Sequence, residues 1–214
     1  MRFIDPGIAL NAALITLLLA GCSAPAPKPP APSATSTPPP TAAAPAPDAP
    51  GKIVKTQFEQ AISFMQSGQD KEANALFANI IKIDPQLASP HTNLGILYYR
   101  EGKPKEAEAA FKQALQLDAE DYVAANYLGM IYRSEGRFSD AEAAYKQALA
   151  AKPDYGYAHL NLAILYDLYL DNLPRALDHY REYQRLNGDT DKRLAGWLAD
   201  LHQRMKNTSE DSTP

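Results

Sequence analysis

Residues 93–111 read NLGILYYREGKPKEAEAAF, and residues 127–145 read YLGMIYRSEGRFSDAEAAY, so one pattern recurs 34 positions later. Each stretch has a glycine among apolar residues and a second glycine seven positions on. An alanine follows, and an aromatic residue stands four positions after it. A repeat of this length is typical of stacked structural units, each of which buries a face against the next. The 34-residue period by itself therefore indicates a helical array.

The recurring positions of this pattern are found in four units along the chain. They are Ala61, Gly95, Gly129 and Ala163; Phe64, Tyr98, Tyr132 and Tyr166; Ala73, Ala107, Ala141 and Ala176; and Phe77, Phe111, Tyr145 and Tyr180. A small residue lets two helices approach closely where they cross, and the aromatic fills the neighbouring gap. Gly68, Gly102 and Gly136 suit a left-handed turn between helices, and Pro85 and Pro153 mark unit ends.

These residues resemble the tetratricopeptide repeat over Val54 to Asn187. The resemblance implies an all-α fold: a right-handed α-solenoid of about four helix-turn-helix hairpins plus a C-terminal capping helix, in a domain spanning residues 51–206. The predicted helices are 54–67, 71–83, 88–101, 105–117, 122–135, 139–151, 156–169 and 174–186.

The fourth unit departs from the pattern. Between Tyr166 and Ala176 it has one residue more than the other units and no turn glycine, so we expect a longer turn. Tyr183 also stands where the earlier units have the smaller Ala114 and Ala148.

The segment 191–206 is predicted to cap the last hairpin, because the final face of a stacked array would otherwise stay exposed. Leu194, Trp197, Leu198 and Leu201 fall on one side of a helix there. Trp197 could instead anchor a partner. Residues 207–214 are polar and are predicted to be a disordered tail.

Residues 1–21 have the composition of an export signal, with Arg2 before an apolar run that is shorter than the roughly 20 residues of a membrane-spanning helix. Leu19-Ala20-Gly21-Cys22 resembles the lipobox of bacterial lipoproteins, which implies cleavage before Cys22 and lipidation of its thiol. The absence of aspartate at Ser23 favours the outer membrane in that class, with the domain facing the periplasm. The alternative is a secretory or membrane-lying segment in which Cys22 is an incidental thiol.

Residues 22–50 are predicted to form a disordered linker. The segment holds 11 of the 18 prolines, with alanine, serine and threonine filling nearly all the rest. Such a chain favours polyproline II and reaches on the order of 85 Å when extended. A proline-rich ligand for another domain is the alternative, although Lys28 is the only basic residue within the segment.

Catalytic chemistry finds little support in the sequence. Cys22 is the only cysteine, and the histidines lack the spacing of a metal motif: His91 and His159 recur at equivalent positions, while His179 and His202 stand alone. We expect no enzymatic activity, no cofactor and no metal. Nucleic acid is also not expected as a partner, because the chain from Gly51 carries 19 basic and 23 acidic side chains without a basic stripe.

The resemblance instead implies a protein-binding groove lined by the first helix of each unit. Its predicted residues are Phe58, Ile62, Met65, Thr92, Ile96, Tyr99, Asn126, Met130, Arg133, Leu160, Ile164 and Asp167. The row from Ile62 to Ile164 is apolar, and Tyr99, Asn126 and Arg133 are expected at its edges. The alternative for each position is core packing between helices.

The partners implied are envelope proteins or peptide segments, with the membrane reached through the N-terminal lipid. Lipidated repeat proteins of this kind include pilotins for a pilus secretin, adaptors of peptidoglycan enzymes and motility lipoproteins, and the sequence leaves these open. A permanent structural subunit of a secretion or polysaccharide-export complex is the second interpretation.

Replacing Cys22 with serine tests the anchor. The Cys22→Ser chain can form no thioether, so we expect it to leave the outer-membrane fraction and appear in the soluble periplasmic fraction. Fractionation followed by a high-salt wash measures this. A variant that stays in the membrane after the wash would contradict a lipid anchor.

Overall fold

In a computed structural model of the chain, residues 51–188 and 192–211 are described. These residues form nine helices: α1 (Gly51–Gln66), α2 (Asp70–Ile83), α3 (Ala88–Arg100), α4 (Pro104–Leu117), α5 (Tyr122–Ser134), α6 (Phe138–Ala151), α7 (Gly156–Leu168), α8 (Leu173–Asn187) and α9 (Lys192–Asp211). None of these described helices is both long enough and apolar enough to cross a membrane. The predicted signal peptide, Cys22 and the linker lie outside the described residues.

The helices pair into four hairpins in chain order, α1 with α2 through to α7 with α8. The second helix of each hairpin also packs against the first helix of the next, and α9 packs against α8. This arrangement confirms the predicted all-α solenoid of four hairpins with a C-terminal cap. The ends of α1 to α8 fall within one residue of the predicted ones, except that α1 begins three residues earlier, at Gly51.

Each hairpin closes around an aromatic side chain of its second helix. The Tyr145 ring lies so near Gly129 that a Cβ added there would be 2.4 Å from it, and a Cβ at Gly95 would be 2.6 Å from the Phe111 ring. Both rings are completely buried. The crossing of α3 with α4 and of α5 with α6 therefore depends on the missing glycine side chains.

The turns explain the second set of glycines. Gly68, Gly102 and Gly136 have φ angles of 74°, 70° and 76°, in the left-handed region that glycine adopts without steric cost. In the fourth hairpin the turn is one residue longer, as predicted, and Asp171 takes a positive φ of 48° in place of a glycine. The Asn172 side chain then caps α8 by accepting a hydrogen bond from the backbone N–H of Arg175 at 3.3 Å.

Helix α9 covers the end of the fourth hairpin. Leu194 and Leu201 are buried, and the Trp197 ring lies 6.0 Å from the Tyr180 ring, so the predicted apolar face packs inward. The helix continues to Asp211, however, and residues 207–211 are therefore helical rather than part of a disordered tail. The sequence after Gly196 contains no glycine, and its first proline is Pro214, so nothing in it breaks the helix at residue 206.

A leucine at Gly129 tests the crossing of α5 with α6. The added side chain would displace the buried Tyr145 ring, and overpacking of this kind costs about 1–3 kcal/mol of unfolding free energy. We expect chemical denaturation to show a loss of this size for Gly129→Leu.

Gly196→Leu is the matched control, because nothing lies within 4 Å of a Cβ at that helical position. Leucine favours helix over glycine by up to about 1 kcal/mol there, so stability should hold or rise. Equal losses in the two variants would show that close approach of the helices is not the reason for glycine at Gly129.

Candidate protein-binding surface

The first helices of the hairpins lie side by side, with α5 between α3 and α7. The second helices pack against these first helices, so few side chains of the first helices reach solvent. Nine of the twelve predicted groove residues are buried: Phe58, Met65, Thr92, Ile96, Asn126, Met130, Leu160, Ile164 and Asp167. Ile62, Tyr99 and Arg133 are half-buried. The buried positions match the packing alternative, and the binding role of the groove stays a prediction that now centres on these three residues.

A polar contact joins the second unit to the third. The Thr92 hydroxyl donates a hydrogen bond to the Asp121 carboxylate, which also accepts one from the backbone N–H of Ala124 at 2.9 Å and so caps α5. Burial raises the pKa of Asp121, and these two hydrogen bonds oppose the rise. Thr92 therefore helps to fix the register between units and is unavailable to a partner.

An amide pair joins the third unit to the fourth. Asn161 on α7 donates from Nδ2 to the Asn126 carbonyl oxygen on α5 at 3.0 Å, and both residues are buried. The Asn161 Oδ1 atom accepts a hydrogen bond from Arg133 at 3.4 Å. Asn126 was predicted at the groove edge, but it lies inside the stack because an amide can pair with its counterpart one unit later.

Of the three half-buried groove residues, Arg133 is the charged one and Tyr99 is the aromatic one. Within the described residues, Arg133 makes its side-chain hydrogen bond to the neutral Asn161 amide and takes part in no ion pair. The Tyr99 ring packs edge-on against Tyr127 at 5.4 Å. Burial raises the pKa of Tyr99, while the nearby Arg133 charge lowers it. A half-buried cation beside an aromatic ring is thus held in place by the amide pair.

Asp167 occupies the place equivalent to Arg133 in the fourth unit, and the cap covers it. Its carboxylate accepts hydrogen bonds from Arg204 of α9 and from the Tyr180 hydroxyl, the latter at 3.2 Å. Only 4 % of the side chain is exposed. Asp167 therefore holds the capping helix α9 in place instead of binding a partner.

The second helices carry ion pairs that cross from unit to unit. Glu108 binds Lys112 at 2.6 Å and Arg137 of the next unit at 3.3 Å, and the hydrogen bond from Lys112 is the main cause that lowers its pKa. Glu142 accepts a hydrogen bond from the Tyr166 hydroxyl at 2.6 Å. Each of these two carboxylates therefore links two neighbouring hairpins.

One prediction about the histidines was wrong. His179 was predicted to stand alone, yet its Nδ1 atom lies 3.0 Å from Nδ1 of His159. The second and third units have Ala110 and Ala144 at the position of His179, so the repeat pattern gave no signal of a histidine pair. No group of three or more His, Cys, Asp or Glu side chains that could hold a metal is found within the described residues.

Comparison with known families agrees with the geometry. A tetratricopeptide repeat model matches residues 58–122, 92–156 and 128–191, which together span more than half of the chain. The chain therefore belongs to the tetratricopeptide repeat family. A search of curated proteins found no match.

Solved structures share this fold. PilF of Pseudomonas aeruginosa is similar with a TM-score of 0.65 and 20% identity, over 73% of this chain and 70% of that one. MamA of Desulfovibrio magneticus RS-1 is similar with a TM-score of 0.62 and 17% identity, over 75% and 89% of the two chains. A tetratricopeptide repeat protein of Parabacteroides merdae has a TM-score of 0.60 and 20% identity, over 76% and 63%. At these identities the likeness establishes the fold alone.

Substituting Arg204 tests how the cap is fastened. Arg204→Met leaves the buried Asp167 carboxylate without its cationic partner. Losing one member of a fully buried pair costs about 3–5 kcal/mol, and Arg204 is partly exposed, so we expect a loss of about 2 kcal/mol in unfolding free energy.

Arg181→Met, on an exposed position of α8, is the control for loss of a positive charge. Adding Asp167→Asn to the Arg204 variant should restore part of the stability, because the unpaired charge is removed. If the double variant were no more stable than Arg204→Met, the ion pair would not be what holds α9.

Proposed function

We propose that this chain is a lipid-anchored adaptor of the outer membrane that docks an envelope protein on its first helices and so assists assembly of an envelope complex. The single observation that carries the docking part is that Ile62, Tyr99 and Arg133 stay partly accessible, one on each of three successive first helices. Tetratricopeptide repeats are interaction modules, and repeats of this kind bind proteins or peptide segments through stacked surfaces.

The tethering part rests on the sequence. The lipobox-like Leu19-Ala20-Gly21-Cys22 precedes a proline-rich linker, and the helical domain begins where that composition ends, at Gly51. Two acyl chains or more hold a protein on a membrane stably, whereas one does not. A lipidated Cys22 would thus keep the domain at the membrane while the linker lets it search for its partner.

The chemistry of the surface favours a partner segment that is apolar and acidic. Ile62 and the Tyr99 ring offer apolar contact, and the Arg133 guanidinium offers a positive charge that takes part in no ion pair among the described residues. Arginine binds carboxylates with paired, charge-assisted hydrogen bonds. An aspartate or glutamate next to an apolar residue in the partner fits this surface.

Photocrosslinking in cells tests the docking surface. A crosslinking amino acid is placed at Ile62, a half-buried position on the first helix α1, and at Gln116, an exposed position on α4. We expect one discrete adduct from Ile62 and none of that size from Gln116. The opposite result would place the partner on the second helices.

Truncation then measures what each contact contributes to the adduct. Arg133→Ala and Tyr99→Ala should each reduce it at least about tenfold, because binding energy concentrates in a few aromatic and arginine contacts. Tyr99→Phe keeps the ring against Tyr127 and should retain most of the adduct, and Lys105→Ala, exposed on α4, controls for loss of a positive charge. Circular dichroism must show that each variant is folded.

The same experiment separates an adaptor from a permanent subunit. An adaptor should be recovered partly free of its partner after gentle detergent extraction, whereas a permanent structural subunit should be recovered only in the complex. Folded variants of Arg133 and Tyr99 that give a wild-type adduct would rule out this surface as the docking site.

A further inference from the structure

We infer that His159 and His179 form a binding site for a late first-row divalent metal ion, with copper(II) the preferred member of that class. The two imidazoles come from the two helices of the fourth hairpin, His159 from α7 and His179 from α8. Their Nδ1 atoms face each other at 3.0 Å.

The distance between the two nitrogens matches the spacing of ligands around one metal ion. Imidazole nitrogens bind such ions at about 2.0–2.1 Å. Two nitrogens at neighbouring positions are then about 2.8–2.9 Å apart in a square-planar site and about 3.3 Å apart in a tetrahedral one. The observed 3.0 Å lies close to these values, so one metal ion can bind both nitrogens in place of the bridging proton once the rings turn their Nδ1 lone pairs from each other toward it.

The outer nitrogen of His159 is held as it is in metal sites. Its Nε2 atom lies 2.9 Å from the carbonyl oxygen of Pro153, and because a carbonyl only accepts hydrogen bonds, Nε2 must carry the proton. The Nδ1 atom of His159 is then an unprotonated acceptor that points at His179. A backbone carbonyl on the outer ring nitrogen is the usual arrangement that orients a metal-binding histidine.

His179 is kept neutral and available. Burial, followed by the proximity of His159, lowers the pKa of His179 to about 4, and Lys146 and Arg175 add to this while Asp178 opposes it. The Tyr166 ring is stacked on the imidazole at 5.7 Å between centroids and limits its rotation. A neutral, oriented imidazole binds a metal ion without first losing a net proton.

The proton balance of binding follows from these tautomers. In the free protein the Nδ1–H of His179 donates to Nδ1 of His159. When a metal ion takes both Nδ1 lone pairs, that proton leaves Nδ1 and solvent returns one to Nε2 of His179. Binding at neutral pH therefore changes the tautomer of His179 and releases no net proton.

Two nitrogens and water make a site that favours copper(II). Since no third ligating side chain is placed beside the pair in the described residues, water must complete the coordination. Glu182 lies one turn after His179, but Arg185 holds its carboxylate at 2.5–3.1 Å. Of the divalent ions of this row, copper(II) binds nitrogen ligands most tightly and accepts a tetragonal geometry with water.

Copper(II) titration of the full chain carrying Cys22→Ser tests the site, since that change removes the only thiol. Chelator competition at neutral pH gives the affinity, and electron paramagnetic resonance reports the number of coordinated imidazole nitrogens. We expect one ion per chain bound by two imidazoles, and a thermal midpoint that rises when copper is added.

His159→Gln and His179→Ala should each weaken binding at least tenfold and abolish the two-imidazole spectrum. Alanine should fold at this position, because Ala110 and Ala144 occupy it in the second and third units. His91→Gln is the matched control, since His91 stands at the place of His159 in the second unit, and His202→Gln is the control for an exposed histidine. Copper affinity that is unchanged in the folded His159 and His179 variants, or a wild-type spectrum with fewer than two nitrogens, would overturn the inference.

Discussion

The contact between an aromatic side chain of each second helix and a small residue of the first helix is the constraint on which the rest of the structure depends. At Gly129 and Gly95 the rings of Tyr145 and Phe111 occupy the space where a side chain would be. This contact fixes how closely the two helices of a hairpin cross. Because a small residue and an aromatic recur at these two positions in all four units, 34 or 35 residues apart, each hairpin can present its second helix to the next hairpin in the same way.

Stacking hydrophobic faces does not by itself fix the register of one hairpin on the next, and the polar contacts supply that specificity. Arg100 binds Asp70 of the previous unit at 3.2 Å, and Asn161 binds Asn126. Each contact joins side chains about one repeat apart, and the pairing of Asn161 with Asn126 also satisfies amide groups that would otherwise be buried without a partner. The Arg204 ion pair with Asp167 continues the series into α9, so the cap is joined to the stack as another unit would be.

The sequence predicted the helices well because a period of 34 residues is a global signal that tertiary contacts reinforce. It failed where the deciding contact joins residues in different helices. Asn126 was placed at a groove edge because the resemblance to the family puts its position on the binding face, and nothing in its neighbours reveals the amide of Asn161 one repeat later. His179 was missed for the same reason: a metal motif is recognised by spacing along one helix, whereas its partner His159 lies on another helix.

Burial of most first-helix side chains changes how recognition must work on this surface. If all twelve predicted groove residues were accessible, binding energy would be shared among many contacts. Instead, the pairing of Asn161 with Asn126 and the Thr92 hydrogen bond already use much of the polar capacity inside the stack. The remaining accessible groups are few and are held by packing, so little entropy is lost when a partner orders them. Affinity for a partner would then depend strongly on Tyr99 and Arg133, because a few aromatic and arginine contacts carry most of the binding energy of an interface.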